Sequence, residues 1–284
     1  MGIVVFPALI PDIERIYDVY FAAFEGEEMA RLIMKILFPG GITEEFRKAH
    51  TAATLAYWHK SSTQYTLKAV DMETGEIVGM LLGDVHLLGR TEEERKFAGV
   101  PWLEGEERVR AEKVIKPLWE MREKLWGDRP HMCKSFLKIR SLFWKGLLER
   151  TTDTRSDCHV IGVDPKNQGR HAGAALIKWG SEQASSANLP IYFESSPSTA
   201  KLYERLGCQR IKETIVHSGE VLGTDHDIEV PLMVVMPKCA KGMTFDEWRE
   251  RGYPAWDTIT DVEKPKAQPD LKAPVKVAQL PATA

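Results

Sequence analysis

The chain has 284 residues, of which 43% are hydrophobic and 28% charged, with a formal net charge of -3 at pH 7. Such a composition predicts a soluble globular protein with a sizeable core. The charge gives no electrostatic reason to expect nucleic acid or an anionic membrane as partner, and no run nears the roughly 18 apolar residues of a membrane span.

The first residues, MGIVVFPALIPDIERIYDVYF, do not read as a signal peptide, because no basic leader precedes them and acids follow soon. Phe6 stands where a myristoylation pattern requires Ser or Thr. GIVVFPAL predicts a first strand. Ile13, Ile16, Tyr17, Tyr20, Phe21 and Phe24 then recur at three- and four-residue steps, which predicts a helix with one buried face. A second helix is expected over about 43–60, with Thr43 as cap and acids in its first turn. YTLKAVDMETGEIVGMLLGDVHLL, from Tyr65 to Leu88, holds turn residues between two apolar runs and predicts a β-hairpin.

Between about 89 and 150 the sequence becomes charged and helical, with Trp102, Trp119, Trp126 and Trp144 among acids and bases. Pro117 and Pro130 are expected to limit unbroken helix there. The tryptophans either wall a pocket for an apolar or cationic amine or bury the insert's own helices. Arg129, Lys134, Lys138, Arg140, Lys145 and Arg150 form either an anion-attracting set or a solvated face. Strand, turn, helix and strand return over Asp157–Ser195, followed by the helix STAKLYERLG, ended by Gly207, and two late strands. Residues 264–284 carry four prolines and no aromatic, which predicts a flexible tail. The four cysteines, Cys133, Cys158, Cys208 and Cys239, form no CxxC pair. They predict reduced, mostly buried thiols, no metal site and a cytoplasmic location.

The order describes one α/β domain over 1–263 with an elaborated middle. Its most informative stretch is HVIGVDPKNQGRHAGAALIKWG, from His159 to Gly180, where a strand passes through a glycine-bearing turn into a helix. Backbone amides at a helix start hold anions. A Walker loop needs Gly-Lys-Ser or Gly-Lys-Thr, which is absent, and a dinucleotide fingerprint needs three glycines after a first strand. Gln168-Gly169-Arg170-His171-Ala172-Gly173 instead fits, at its first and last positions, a pyrophosphate loop of the form [Gln/Arg]-x-x-Gly-x-[Gly/Ala].

On this loop and on LPIYFESSPSTAKLYERLGCQRI downstream, the chain resembles the GCN5-related N-acetyltransferase (GNAT) superfamily, and among it uncharacterised fungal members. The resemblance covers about Asp157–Ile211, is weaker over Tyr65–Leu88, and is absent from the insert and tail. It implies a GNAT fold: a mixed, mostly antiparallel central sheet of about seven strands, its central strands splayed, flanked by helices, with a helical insert at about 89–150. It also implies acetyl-CoA as co-substrate, whose pantetheine arm pairs with backbone in the splay. Ile161, Gly162 and Val163 would then meet the acetyl and pantetheine part. Gln168, Gly169, Arg170, His171, Ala172, Gly173 and Ala174 would hold the diphosphate, with Arg170 able to pair with phosphate. Ser196 and Lys201 would lie near the pantetheine and the 3'-phosphate. His171 departs from the family's glycine; a negative φ would accommodate its side chain.

Thioester-to-amine transfer needs a base, an oxyanion donor and an acid for the thiolate, and no covalent enzyme intermediate. Tyr203 takes the place of the family's general acid; the alternative is a packed helix tyrosine. Strand alternation puts Asp157, His159, Ile161 and Val163 on one face. His159 and Asp157 occupy the places of paired histidines in the serotonin N-acetyltransferase branch, and His159 is a candidate base. Glu194 is the alternative base, although a glutamate between Phe193 and Ser195 is expected to face solvent. The main-chain amide near Ile161 is the expected oxyanion donor.

The expected activity is transfer of acetyl from acetyl-CoA to a primary amine of a small molecule in a ternary complex, by a monomer or homodimer. A protein or histone lysine acetyltransferase, and a non-catalytic acyl-CoA-binding module, are the alternatives.

Overall fold

A computed structural model describes residues 2–58, 63–134 and 160–259. Strand β1 (Ile3–Pro7) leads into α1 (Ile13–Glu25), whose predicted apolar stripe is buried throughout. Helix α2 (Glu28–Leu37) follows, capped by the Glu27 carboxylate on Ala30 N at 2.8 Å. The sequence reading passed over this helix, although Met29, Ile33, Met34 and Leu37 supply its buried face. Helix α3 (Glu44–Trp58) begins where Thr43 Oγ1 accepts from Phe46 N at 3.2 Å, as the capping rule predicts.

Strands β2 (Gln64–Asp71) and β3 (Ile77–His86) form the predicted hairpin, closed by Gly75 N on Asp71 O at 2.7 Å with Gly75 at φ 74°. Helix α4 (Gly105–Leu125) runs straight through Pro117, contrary to the expected interruption. The ring removes one donor from the ladder, and burial of Ala111, Val114, Leu118 and Leu125 on either side holds the helix together. The region 89–150 is not helical throughout: β4 (His131–Lys134) is a strand of the central sheet.

After β5 (Ile161–Val163) come α5 (Ala172–Ser186), β6 (Ile191–Glu194) and α6 (Pro197–Arg205). Then follow β7 (Gln209–His217), the short α7 (Gly219–Leu222), β8 (Ile228–Val235) and α8 (Phe245–Glu250). The sheet order is β1-β2-β3-β4-β6-β8-β7, with β5 also paired to β3. Among the described residues only β4 and β6 run parallel, so the expected mixed, mostly antiparallel sheet is found, with eight described strands rather than about seven.

The largest core unites α1, α2, α4 and α8 with one face of the sheet, through Tyr20, Ile33, Trp126, Tyr192 and Phe245. On the other face Leu176 and Ile177 of α5 pack over Leu81, Ile191 and Phe193, with Tyr203 of α6 beside them. Helices therefore cover both faces. Residues 264–284 lie outside the described residues.

Candidate active site

Strand β3 carries two partners in line along one edge. Its Asp84, Val85 and His86 pair with Cys133, Met132 and His131, while Gly79, Met80 and Leu81 pair with Val163, Gly162 and Ile161. Both partners run antiparallel to β3, so β5 continues the track of β4. Strand β6 flanks β4 from Ile191 to Phe193, and Ser195 N then donates to Pro231 O of β8 at 2.8 Å. Among the described residues β5 pairs with β3 alone. Its other edge has no partner among the described residues, and it faces the line along which β6 runs on into Ser195 and Ser196.

Hydrogen-bond parity fixes what that edge presents. Leu82 N donates to Val160 O at 2.8 Å and Asp164 N to Val78 O at 2.9 Å. Backbone groups alternate sides along an antiparallel strand, so Val160, Gly162 and Asp164 turn theirs to β3. Ile161 and Val163 accordingly turn theirs to the open edge. Gly162 allows β5 to lie close on α1: a Cβ there would stand 3.3 Å from the Ala23 Cβ and 3.4 Å from the Met80 sulfur.

The strand ends in Asp164, whose carboxylate accepts from Lys166 N at 3.0 Å and from Arg15 Nη2 of α1 at 2.7 Å. Gln168, Gly169, Arg170 and His171 are exposed. Gly169 has φ 78°, and a Cβ on it would meet nothing within 4 Å. His171 has φ 64° and ψ 15°, so the expected negative φ is not found. The turn into α5 needs one left-handed residue at that point, and the imidazole is carried outward into solvent. Among the described residues no side chain caps α5, so the amides of Ala172, Gly173 and Ala174, which have no carbonyl a turn behind them, stay available. Arg170 pairs with Asp71 at the end of β2 at 2.6 Å and with Asn167 Oδ1 at 3.2 Å.

On the same side of the sheet, Tyr203 packs edge-on to Phe193 with ring centroids 4.9 Å apart, in the cluster that also takes in Ile161. Burial pushes its phenol up to about 12, so it is protonated at neutral pH. Before it, Ser195, Ser196, Ser198 and Thr199 share a hydroxyl network at 2.8–3.0 Å, and Lys201 is exposed one turn on.

Glu194 departs from expectation. It is buried rather than solvent-facing, on the opposite face of the sheet, with Oε1 accepting from Arg122 Nη2 of α4 at 3.3 Å. Tyr192 and Cys133 lie beside the pair, and burial pushes the Cys133 thiol up to about 11. Nothing in the local sequence signalled Arg122, which reads as one more charge on a polar helix. Asp157 and His159 lie outside the described residues.

The tryptophans of the middle region that are described belong to packing. Trp126 is fully buried between His131, Tyr192 and Phe245, and Trp102 donates Nε1 to Leu37 O at 3.0 Å. Arg129 lies 3.8 Å over the Tyr253 ring. Trp144, Lys138, Arg140, Lys145 and Arg150 lie outside the described residues. Cys133 and Cys208 are buried and Cys239 is half-buried. Among the described residues no group of three His, Cys, Asp or Glu side chains is placed to hold a metal, and no helix is long and apolar enough to cross a membrane.

No family model matches the chain. It is 28% identical over 167 residues to the probable acyltransferase SID5 of the fungus Ajellomyces capsulatus, across 59% of this chain and 99% of that one. Among solved structures it is similar to the histone acetyltransferase HPA2 and related acetyltransferase from Corynebacterium glutamicum, with a TM-score of 0.47 and 19% identity over 84% of this chain and 97% of that one. An agmatine N-acetyltransferase matches with a TM-score of 0.49 and 17% identity over 83% and 100% of the two chains. The polyamine N-acetyltransferase of Drosophila melanogaster gives 0.46 and 16% over 83% and 100%. In sequence, then, the chain has a probable fungal acyltransferase as a relative.

Proposed function

We propose that this chain, a relative of a probable fungal acyltransferase, moves the acetyl group of acetyl-CoA directly to a primary amine of a small molecule. The observation that carries this reading is the edge of β5 that no described residue pairs with, followed after the 164–171 loop by a start of α5 that no described side chain caps. An extended amide-bearing arm pairs with such an edge as an added strand does, and a diphosphate suits the orphan amides beyond it. Coenzyme A joins those two chemistries in one molecule. The SID5 relative supports acyl transfer as the reaction class.

In this reading Ile161 and Val163 offer main-chain groups to the pantetheine and acetyl part, with Gly162 between them. Gln168 to Ala174 surround the diphosphate, and Ser196 and Lys201 stand toward the pantetheine and the 3'-phosphate. The amine nitrogen attacks the thioester carbonyl carbon, and the Ile161 amide faces the oxyanion. The C–S bond then breaks, and the Tyr203 phenol gives its proton to the leaving thiolate. The amine's proton passes to a base, for which His159, Asp157 and Glu194 are the candidates. Residues 1–263 act as one domain in this account.

Calorimetric titration of the full chain with acetyl-CoA, CoA and NADH tests the site. Micromolar binding of the first two, with none of NADH, is the expected result. Absence of any CoA binding sinks the reading. A turnover panel of small amines against lysine peptides then decides the acceptor class.

A further inference from the structure

Arg170 belongs to the loop assigned above to the diphosphate, yet one nitrogen of its guanidinium, Nη1, already has two protein partners. It meets Asp71 Oδ2 at 2.6 Å and donates to Asn167 Oδ1 at 3.2 Å. The Asp71 side chain is 1% exposed and that of Arg170 40%. Asp71 also accepts from Glu73 N at 3.1 Å, and its backbone closes the β2–β3 turn. One carboxylate therefore ties the hairpin turn to the loop. The Arg170 hydrogen bond holds that carboxyl below the usual carboxylate range, with the Glu73 amide adding to the effect.

At its other end the loop is held by a second ion pair, Arg15 to Asp164 at 2.7 Å, and Asp164 also bonds Lys166 N. Residues 164 to 171 are thus anchored at both ends, from α1 and from β2. Gly169 stands between the anchors and His171 directly after the second, each at positive φ. A non-glycine residue at positive φ persists where its surroundings over-determine it.

We propose that Asp71 is a positioning residue for acyl-CoA binding, holding Arg170 so that the loop presents its amides to the diphosphate. Arg170 is then a brace of the loop and not a phosphate ligand. This rests on the acyl-CoA reading of the site. The two roles of Arg170 predict opposite signs for Asp71→Asn. A brace loses its anchor and binding weakens, whereas a phosphate ligand loses a competitor and binding tightens.

The test is calorimetric titration of acetyl-CoA into the full-length wild type, Asp71→Asn, Arg170→Gln and the double variant, at several salt concentrations. Hydrogen exchange of the unliganded proteins over residues 164–173 runs beside it. Each single variant is expected to raise Kd about tenfold, with the double no worse than the weaker single, since both remove one interaction. The salt slope of Kd stays at the wild-type value, because no phosphate contact is lost, and loop exchange quickens in all three variants. Arg170→Gln, at a half-exposed position, keeps the test readable if the buried Asp71 change unfolds the chain. Unchanged or tighter binding by Asp71→Asn, or a flattened salt slope in Arg170→Gln, overturns the proposal. A wild type that binds no acetyl-CoA while loop exchange responds as expected would overturn the acyl-CoA reading and retain the brace.

Discussion

Arg122 of α4 and Glu194 of β6 form an ion pair at 3.3 Å in the protein interior, their side chains 6% and 0% exposed. Two charges so placed gain little over an apolar pair of the same shape, because both have left water, but removing one strands the other. Arg122→Leu alone is therefore expected to destabilise the protein by roughly 3–5 kcal/mol, and Arg122→Leu with Glu194→Leu to cost clearly less. Urea unfolding of the two variants decides this. Single and double losses of equal size would mean that the pair is not coupled.

Tyr203 makes a claim about chemistry rather than stability. Tyr203→Phe keeps the ring against Phe193 and removes only the proton, so turnover is expected to fall more than about tenfold with acetyl-CoA affinity nearly unchanged. With the phenol pushed up to about 12, its acid form persists across the working range. No alkaline loss of activity below about pH 10 should therefore trace to this residue. Equal activity of the variant removes it as the acid.

His171 sits at φ 64° with its side chain in solvent. A left-handed residue costs roughly 1–2 kcal/mol when it carries a Cβ, offset in part by the greater unfolded-state freedom of glycine. His171→Gly is expected to stabilise the protein by up to about 1 kcal/mol, and His171→Val to destabilise it, since branching at Cβ is worst there. Thermal unfolding of the two variants should move the midpoint in opposite directions.

His217 is 2% exposed, and burial holds its imidazole down to about 4. The unfolded chain binds a proton near pH 6.5 that the folded chain refuses until about 4. Stability is thus full above pH 6.5 and falls as the pH drops toward 4, by up to about 1.4 kcal/mol per unit for this group. His131, kept well below its usual range by burial and by His86 beside it, acts in the same direction. His217→Gln should flatten the urea midpoint between pH 6.5 and 4.5, and an unaltered slope would show that His217 is not the group responsible.

Local order determined much of this protein from sequence alone. The apolar stripe of α1, the Thr43 cap, the hairpin turn and the glycine stop after α6 each depend on residues a few positions apart, so their spacing is enough to predict them. The strand-turn-helix at Gly162 to Gly173 was legible for the same reason, as was its fitness for an anion. Tertiary structure decided the rest. That β4 and β5 share one edge of β3, leaving Ile161 and Val163 with outward backbone groups, follows from pairing between residues 45 to 84 positions apart in the chain. Glu194 looked like a solvent-facing charge because its neighbours alternate, but α4 closes over that face and supplies Arg122 from 72 positions away. Arg170 read as a phosphate partner because its ion-pair partner is far away in the sequence. Its actual partner, Asp71, is placed 2.6 Å away by the folding of β2 beneath α5. Short-range patterns fix elements and turns; the partner of a charge depends on which elements the sheet brings together.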